Sequence, residues 1–376
     1  MLNIFIPQET LEEIVIANMP STVEPEEQDI WFKIFSKQDY IYVSSLDEKK
    51  YLTQEDPLFI LSDSCGVEIR YATQYIEDIP QNRQSVTEYW NGIFLLDISE
   101  KDAAQIQKDY GVICQSIDNL DASILMDEGL RFSLKKGEIG YSWDDMLERM
   151  NAEHIPSNHL FLIDRYLLAR DKDKKEDDEL NDILINIYDI VNTMLPTNDL
   201  KCRYKITFII GEQKEGQSFS TSEISRIVNE ELIPSLNRSY GIDVEFIYLT
   251  YQSGLYTATH NRCILTNYTV TQLEHSIKAF EWKKNKKGIL EKVSTCLQTI
   301  MPQGLFTPSG LNGYCDSPHK THDDVMSAIY NNLIWWVKNY LTTKSSFILN
   351  GKNTKINKRY MTKKIGKIES LFELNS

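Results

Sequence analysis

The stretch Thr259-His260-Asn261-Arg262-Cys263-Ile264-Leu265-Thr266-Asn267 holds the residue types with the most chemistry in this chain. An imidazole titrates near neutrality, so His260 suits nucleophilic or acid–base work. Two residues on, the Arg262 guanidinium offers a planar fork of donors that matches phosphate oxygens. Asn267 hydrogen-bonds but has no charge with which to stabilise an imidazolium. Three further groups have suggestive types. Asp164-Arg165-Tyr166 places a carboxylate and a phenol at the end of an apolar run. Trp282 stands beside Lys283, Lys284, Lys286 and Lys287, a cluster suited to a polyanion. Cys315, His319 and His322, with Cys296 upstream, are zinc-ligand types. Their Cys-x3-His-x2-His spacing matches no common structural zinc site, so no metal and no cofactor are expected.

The elements that must position these groups follow from apolar patterning. Leu160-Phe-Leu-Ile-Asp-Arg-Tyr-Leu-Leu-Ala reads as a buried strand, followed by an acidic linker from Asp171 to Glu179. A helix carries Leu180, Ile183, Leu184, Ile187, Ile190, Val191 and Met194 on one face. Tyr204–Gly211 is a second strand, Ser220–Ile233 a capped helix, Tyr240–Leu249 a third strand and Arg262–Tyr268 a fourth. Single helices alternating with strands predict right-handed crossovers and a largely parallel sheet.

With those elements in place, the His-x-Arg-x4-Asn spacing resembles the His-x-Lys-x4-Asp signature of the phospholipase D superfamily. The preceding element order is similar to that fold as well. The pattern is closest to the degenerate phospholipase D-like domain at the C-terminus of MIT-domain proteins. There the motif is His-Asp-Arg with a later Asp, and an Asp-x-Tyr strand opens the domain; Asp164-Arg165-Tyr166 stands at that position here. The resemblance covers about residues 155–285.

Active members of that superfamily use one His as nucleophile on phosphorus and a second as general acid. A Lys grips the phosphate oxygens and an Asp orients an imidazole. Here Arg262 replaces the Lys and Asn267 the Asp. Of the other histidines (His154, His159, His275, His319, His322), none is followed two residues later by Lys or Arg. The resemblance therefore implies a non-catalytic binding or adaptor protein. Its ligand, a nucleic acid, a lipid headgroup or a protein partner, would meet His260, Arg262, Asp164, Tyr166 and the lysines at 283, 284, 286 and 287. The alternative it implies is a homodimeric phosphodiesterase or nuclease, with His260, Arg262 and Asn267 catalytic and each subunit supplying one His260.

Size and composition frame this. The 376 residues divide into a mixed α+β domain over 1–150, the phospholipase D-like α/β domain over 151–285, and a helical, basic region over 286–376. Within the first, helical spacing over Glu100–Gln115 and a buried strand after Trp90-Asn-Gly are the clearest elements. A net charge of −15 argues against wholesale binding of polyanions and leaves only local basic patches for it. No apolar run reaches the roughly 18 residues of a membrane span, and no basic-then-apolar leader opens the chain. The six scattered cysteines read as reduced thiols, and the expected location is cytoplasmic. Lys-, Ile-, Asn- and Tyr-rich usage is compatible with an AT-rich bacterial genome, where fold analogy implies a part in mobile-element defence.

Overall fold

The computed structural model describes residues 2–18, 28–36, 40–45, 56–89, 91–122, 155–167, 176–211, 226–249, 262–273, 280–284 and 286–294, with isolated positions and two-residue pieces at 134–135, 147–148, 299–300 and 304–305. The first unit is built on five short strands: β1 (Asn3–Pro7), β2 (Tyr40–Ser44), β3 (Glu68–Tyr71), β4 (Gly92–Leu96) and β5 (Ile113–Ser116). They pair in the order β3-β2-β1-β4-β5, every pair parallel. A parallel strand is covered on both faces, and β1 and β4 are accordingly buried almost throughout. Ile4 and Ile6 face one way and Phe5 the other, into different apolar clusters.

Helices α1 (Gln8–Ala17), α2 (Ile30–Phe35) and α3 (Pro57–Cys65) cross over one face, while α4 (Thr73–Asp78) and α5 (Glu100–Tyr110) cover the other. Local signals start and stop them. The Asp29 and Asp56 carboxylates accept from Trp31 N and Leu58 N, and Ser99 Oγ accepts from Asp102 N. Gly66 and Gly111 end α3 and α5 with left-handed φ of 74° and 62°. The segment expected to be mixed α+β is thus an all-parallel α/β sheet. Its first three strands are only four or five residues long, too short for the alternation that a sequence pattern needs. Helical spacing holds from Glu100 to Tyr110, and β5 then takes residues expected to continue the helix.

The second sheet has eight strands in the order β6-β14-β11-β10-β7-β8-β9, with β15 on β11. β7 (His159–Ile163), β8 (Tyr204–Gly211) and β9 (Ile242–Leu249) are parallel, joined through α6 (Glu176–Met194) and a helical stretch ending in α7 (Ile233–Leu236). β10 (Arg262–Thr266) runs antiparallel to β7, and β11 (Thr269–Leu273) antiparallel to β10. The small strands β6 (Leu134–Lys135), β14 (Thr299–Ile300) and β15 (Gly304–Leu305) are antiparallel too. The expectation of a largely parallel sheet is corrected to a mixed one. Two residues, Asn267 and Tyr268, connect β10 to β11, and so short a link permits only antiparallel pairing.

The two units share a core. One face of the second sheet (Leu160, Leu162, Phe208, Ile264) packs on Ile183, Ile187, Ile190, Val191 and Met194 of α6. The opposite face (Phe161, Ile163, Ile209, Cys263, Leu265, Tyr268) joins Ile4, Ile6, Ile93 and Ile113 of the first sheet in one apolar cluster. Tyr268 bolts the sheets together: its hydroxyl donates to Gly92 O (2.6 Å) and accepts from Ile113 N (2.8 Å).

Residues expected to begin a basic helix instead form a hairpin, β12 (Phe280–Lys284) and β13 (Leu290–Ser294), paired as a two-stranded sheet. Lys284 ends β12, and Lys286, Lys287 and Gly288 lie in the turn, where Gly288 takes φ 77°. Beyond this hairpin and the two-residue pieces at 299–300 and 304–305, the expected helical, basic region over 286–376 lies outside the described residues.

Candidate functional site at a sheet edge

β7 stops at Ile163 because Asp164 turns the chain. Its backbone N–H still reaches Ile209 O of β8 (3.0 Å), but its carboxylate folds back to accept from Tyr166 N (2.9 Å), an Asx turn. Leu167 N donates to Asp164 O (3.1 Å) and Gly211 N to Arg165 O (3.2 Å), tying the turn to the end of β8. On the other side, β10 begins at Arg262. Cys263 pairs with Ile163 and Ile264 with Leu162, so Arg262 arrives beside Asp164.

The side chains then meet. Arg262 Nε lies 3.7 Å from Asp164 Oδ1, with the two side chains only 11% and 6% exposed. The Arg262 guanidinium carbon is 5.3 Å from the Tyr166 ring centroid and that of Arg165 is 4.6 Å away, both within cation–π range. Arg165 also donates to the Tyr166 hydroxyl. Two guanidiniums, one carboxylate and one phenol thus meet at this strand end. The position matters as well. This is the carboxyl edge of β7 and β8, where the strand order turns from β7-β8-β9 on one side to β10-β11 on the other; open α/β sheets bind ligands at such a place.

Of the residues expected to act together, Asp164, Tyr166 and Arg262 do converge. Arg165 was missed; its signal was the tripeptide itself, which puts a second guanidinium next to the aromatic ring. His260 lies outside the described residues, two positions ahead of β10. Asn267, expected in the catalytic set of the alternative reading, is placed away from Arg262. It stands at the far end of β10, five residues or roughly 16–17 Å of strand away. Its side chain is wholly buried and spent on structure. Oδ1 accepts from Asn158 N (2.9 Å) and His159 N (3.0 Å), and Nδ2 donates to Asn158 Oδ1 (2.7 Å).

The lysines sit on the separate hairpin. Lys284, Lys286 and Lys287 are exposed there, while the side chain of Lys283 falls outside the described residues. His159 is buried at the foot of β7, its Nε2 3.0 Å from Thr207 Oγ1. Burial, helped by Lys205, holds its pKa well below the usual histidine value. The first sheet has its own strand-order reversal, between β1 and β4. No glycine-rich loop follows β1, and Glu9 occupies the first turn of α1, which disfavours a phosphate there.

Among the described residues no three His, Cys, Asp or Glu side chains are grouped to hold a metal, and Cys296, Cys315, His319 and His322 lie outside them. Cys65, Cys114, Cys202 and Cys263 are free thiols, Cys114 and Cys202 pushed up by burial to about 12 and about 11. No helix among the described residues is long and apolar enough to cross a membrane. No protein-family model matches this chain, and no curated protein matches it.

Proposed function

We propose that the edge formed by Asp164, Arg165, Tyr166 and Arg262 is the phosphate-recognition pocket of a phospholipase D-like domain that binds without turning over. The observation that carries this reading is Arg262 seated beside Asp164 at the carboxyl edge, with Arg165 and Arg262 both on the Tyr166 ring. In this reading Asp164 aims the guanidinium and the carboxyl edge supplies the opening. The motif's last position, Asn267, carries no charge and serves the opposite end of the strand, so no carboxylate there supports an imidazolium at His260. The protein then works as an adaptor in the reducing cytoplasm, in keeping with its four described free thiols.

The test is binding of bis(4-nitrophenyl) phosphate and of a 5′-phosphorylated dinucleotide by titration calorimetry. Losing a charge-assisted contact is worth about 1.5–3 kcal/mol, so Arg262→Ala should weaken binding roughly tenfold or more, with Arg262→Lys in between. A thermal melt controls for folding. Metal-free hydrolysis of the diester that His260→Ala abolishes would replace this reading with a homodimeric phosphodiesterase.

A further inference from the structure

The hairpin of β12 and β13 pairs over five residues on each strand, from Phe280 opposite Ser294 to Lys284 opposite Leu290. Among the described strands none of either larger sheet extends it. Around its turn, described over residues 286–289, a side chain built at Gly288 would meet nothing within 4 Å. Lys284, Lys286 and Lys287 are exposed around that turn, and no acidic residue intervenes between Glu281 and Glu291. Beside them Ile289 is 57% exposed, more than any other large hydrophobic side chain described. A cationic tip crowned by an apolar side chain, on a protein of net charge −15, is a local feature that the overall charge does not explain.

We infer that this tip is a β-ribbon that enters a groove of double-stranded nucleic acid. Two strands about 4.8 Å apart, with their side chains, match a major groove about 12 Å wide, and five residues at about 3.4 Å each give reach. Lys284, Lys286 and Lys287 then contact phosphates on the groove walls, and Ile289 packs against base edges or wedges at a step. An anionic membrane is the competing partner. Membrane attachment grows with the apolar area inserted, and one isoleucine among lysines supplies little, whereas a groove needs only one wedge. The inference stands apart from the sheet-edge pocket, because it uses none of that pocket's residues.

The experiment is fluorescence anisotropy of a labelled 20-base-pair duplex with the full chain across a salt series. Parallel sedimentation uses phosphatidylcholine vesicles containing phosphatidylserine. Three phosphate contacts predict a slope of log K against log salt of about −2.7, and the double variant Lys286→Ala/Lys287→Ala should flatten it by about 1.8. Ile289→Ser should weaken binding severalfold at an unchanged slope. These positions are exposed, so the variants keep the fold. An absent duplex signal, or one the double variant leaves intact, overturns the inference; vesicle capture without duplex binding reassigns the tip to membranes. Arg262→Ala serves as the separating control, since loss of diester binding with the duplex slope unchanged keeps the two sites distinct.

Discussion

The paired strands β7 and β10 have two ends that use similar residue types differently. At one end, Asn158, His159, Asn267 and Tyr268 are buried and their polar atoms bond to protein: backbone N–H groups to Asn267, the Asn158 carboxamide to Tyr110 O (2.8 Å), the Tyr268 hydroxyl to two strands of the first sheet. The joint between the two sheets depends on these bonds. At the other end, Asp164, Arg165, Tyr166 and Arg262 concentrate charge at a strand terminus where the chain opens into turns. The first end positions; the second is the one proposed to bind. What a residue of this pair touches is set by the strand end at which it stands, which its type does not reveal.

The largest effect should come from the positioning end. Asn267→Ala strips the acceptor from two buried backbone N–H groups, at about 1–3 kcal/mol each, so denaturant unfolding should show a loss of roughly 3 kcal/mol or more. Asn267→Asp, which restores the carboxylate found in the family motif, should bring no diester hydrolysis, because the strand separates it from Arg262. Hydrolysis gained by that variant would erase the contrast between the ends.

Gly111→Ala probes the same joint from α5. A Cβ there would sit 2.2 Å from Ser157 O, on backbone already at φ 62°. The left-handed conformation alone costs about 1–2 kcal/mol, and the clash adds to it, so the unfolding midpoint should fall by an amount corresponding to about 2–3 kcal/mol. An unchanged midpoint would mean that the two units do not rest on one another as described.

The smallest effect is a pH dependence. His159 is neutral when folded, with its pKa held well below the unfolded value near 6.5. The unfolded chain therefore binds the extra proton below that value. Stability contributed by the neutral ring is complete above it and declines as pH falls, by at most about 1.4 kcal/mol per pH unit. Urea unfolding at pH 7.5, 6.5 and 5.5 measures this, and His159→Gln, which can still reach Thr207, should flatten the slope. Diester titrations at the proposed binding end should not respond to that substitution.

Much of this was legible beforehand, and the exceptions have physical causes. Leu160–Ile163, Tyr204–Gly211 and Arg262–Thr266 declared themselves as strands because both of their faces are buried. The α6 stripe of Ile183, Ile187 and Ile190 was equally plain. The strand direction of β10 was not, since it depends on a two-residue turn whose bonds reach back to Asn158 and His159, more than 100 positions earlier. The lysine cluster was assigned to a helix although Phe280, Trp282 and Lys284 alternate and Gly288 marks a turn; the period-two signal lay there, outweighed by basic composition. Arg165 escaped notice because its value comes from the Tyr166 ring beside it.

From its residues alone this chain determines an α/β protein with buried strands, an acidic surface and a motif of histidine, arginine and asparagine, because apolar periodicity and side-chain chemistry are local properties. Only the tertiary structure decided that Arg262 joins Asp164 while Asn267 supports the far end of the same strand. Strand register is what brings distant residues together, and register is settled by packing two sheets on one shared core.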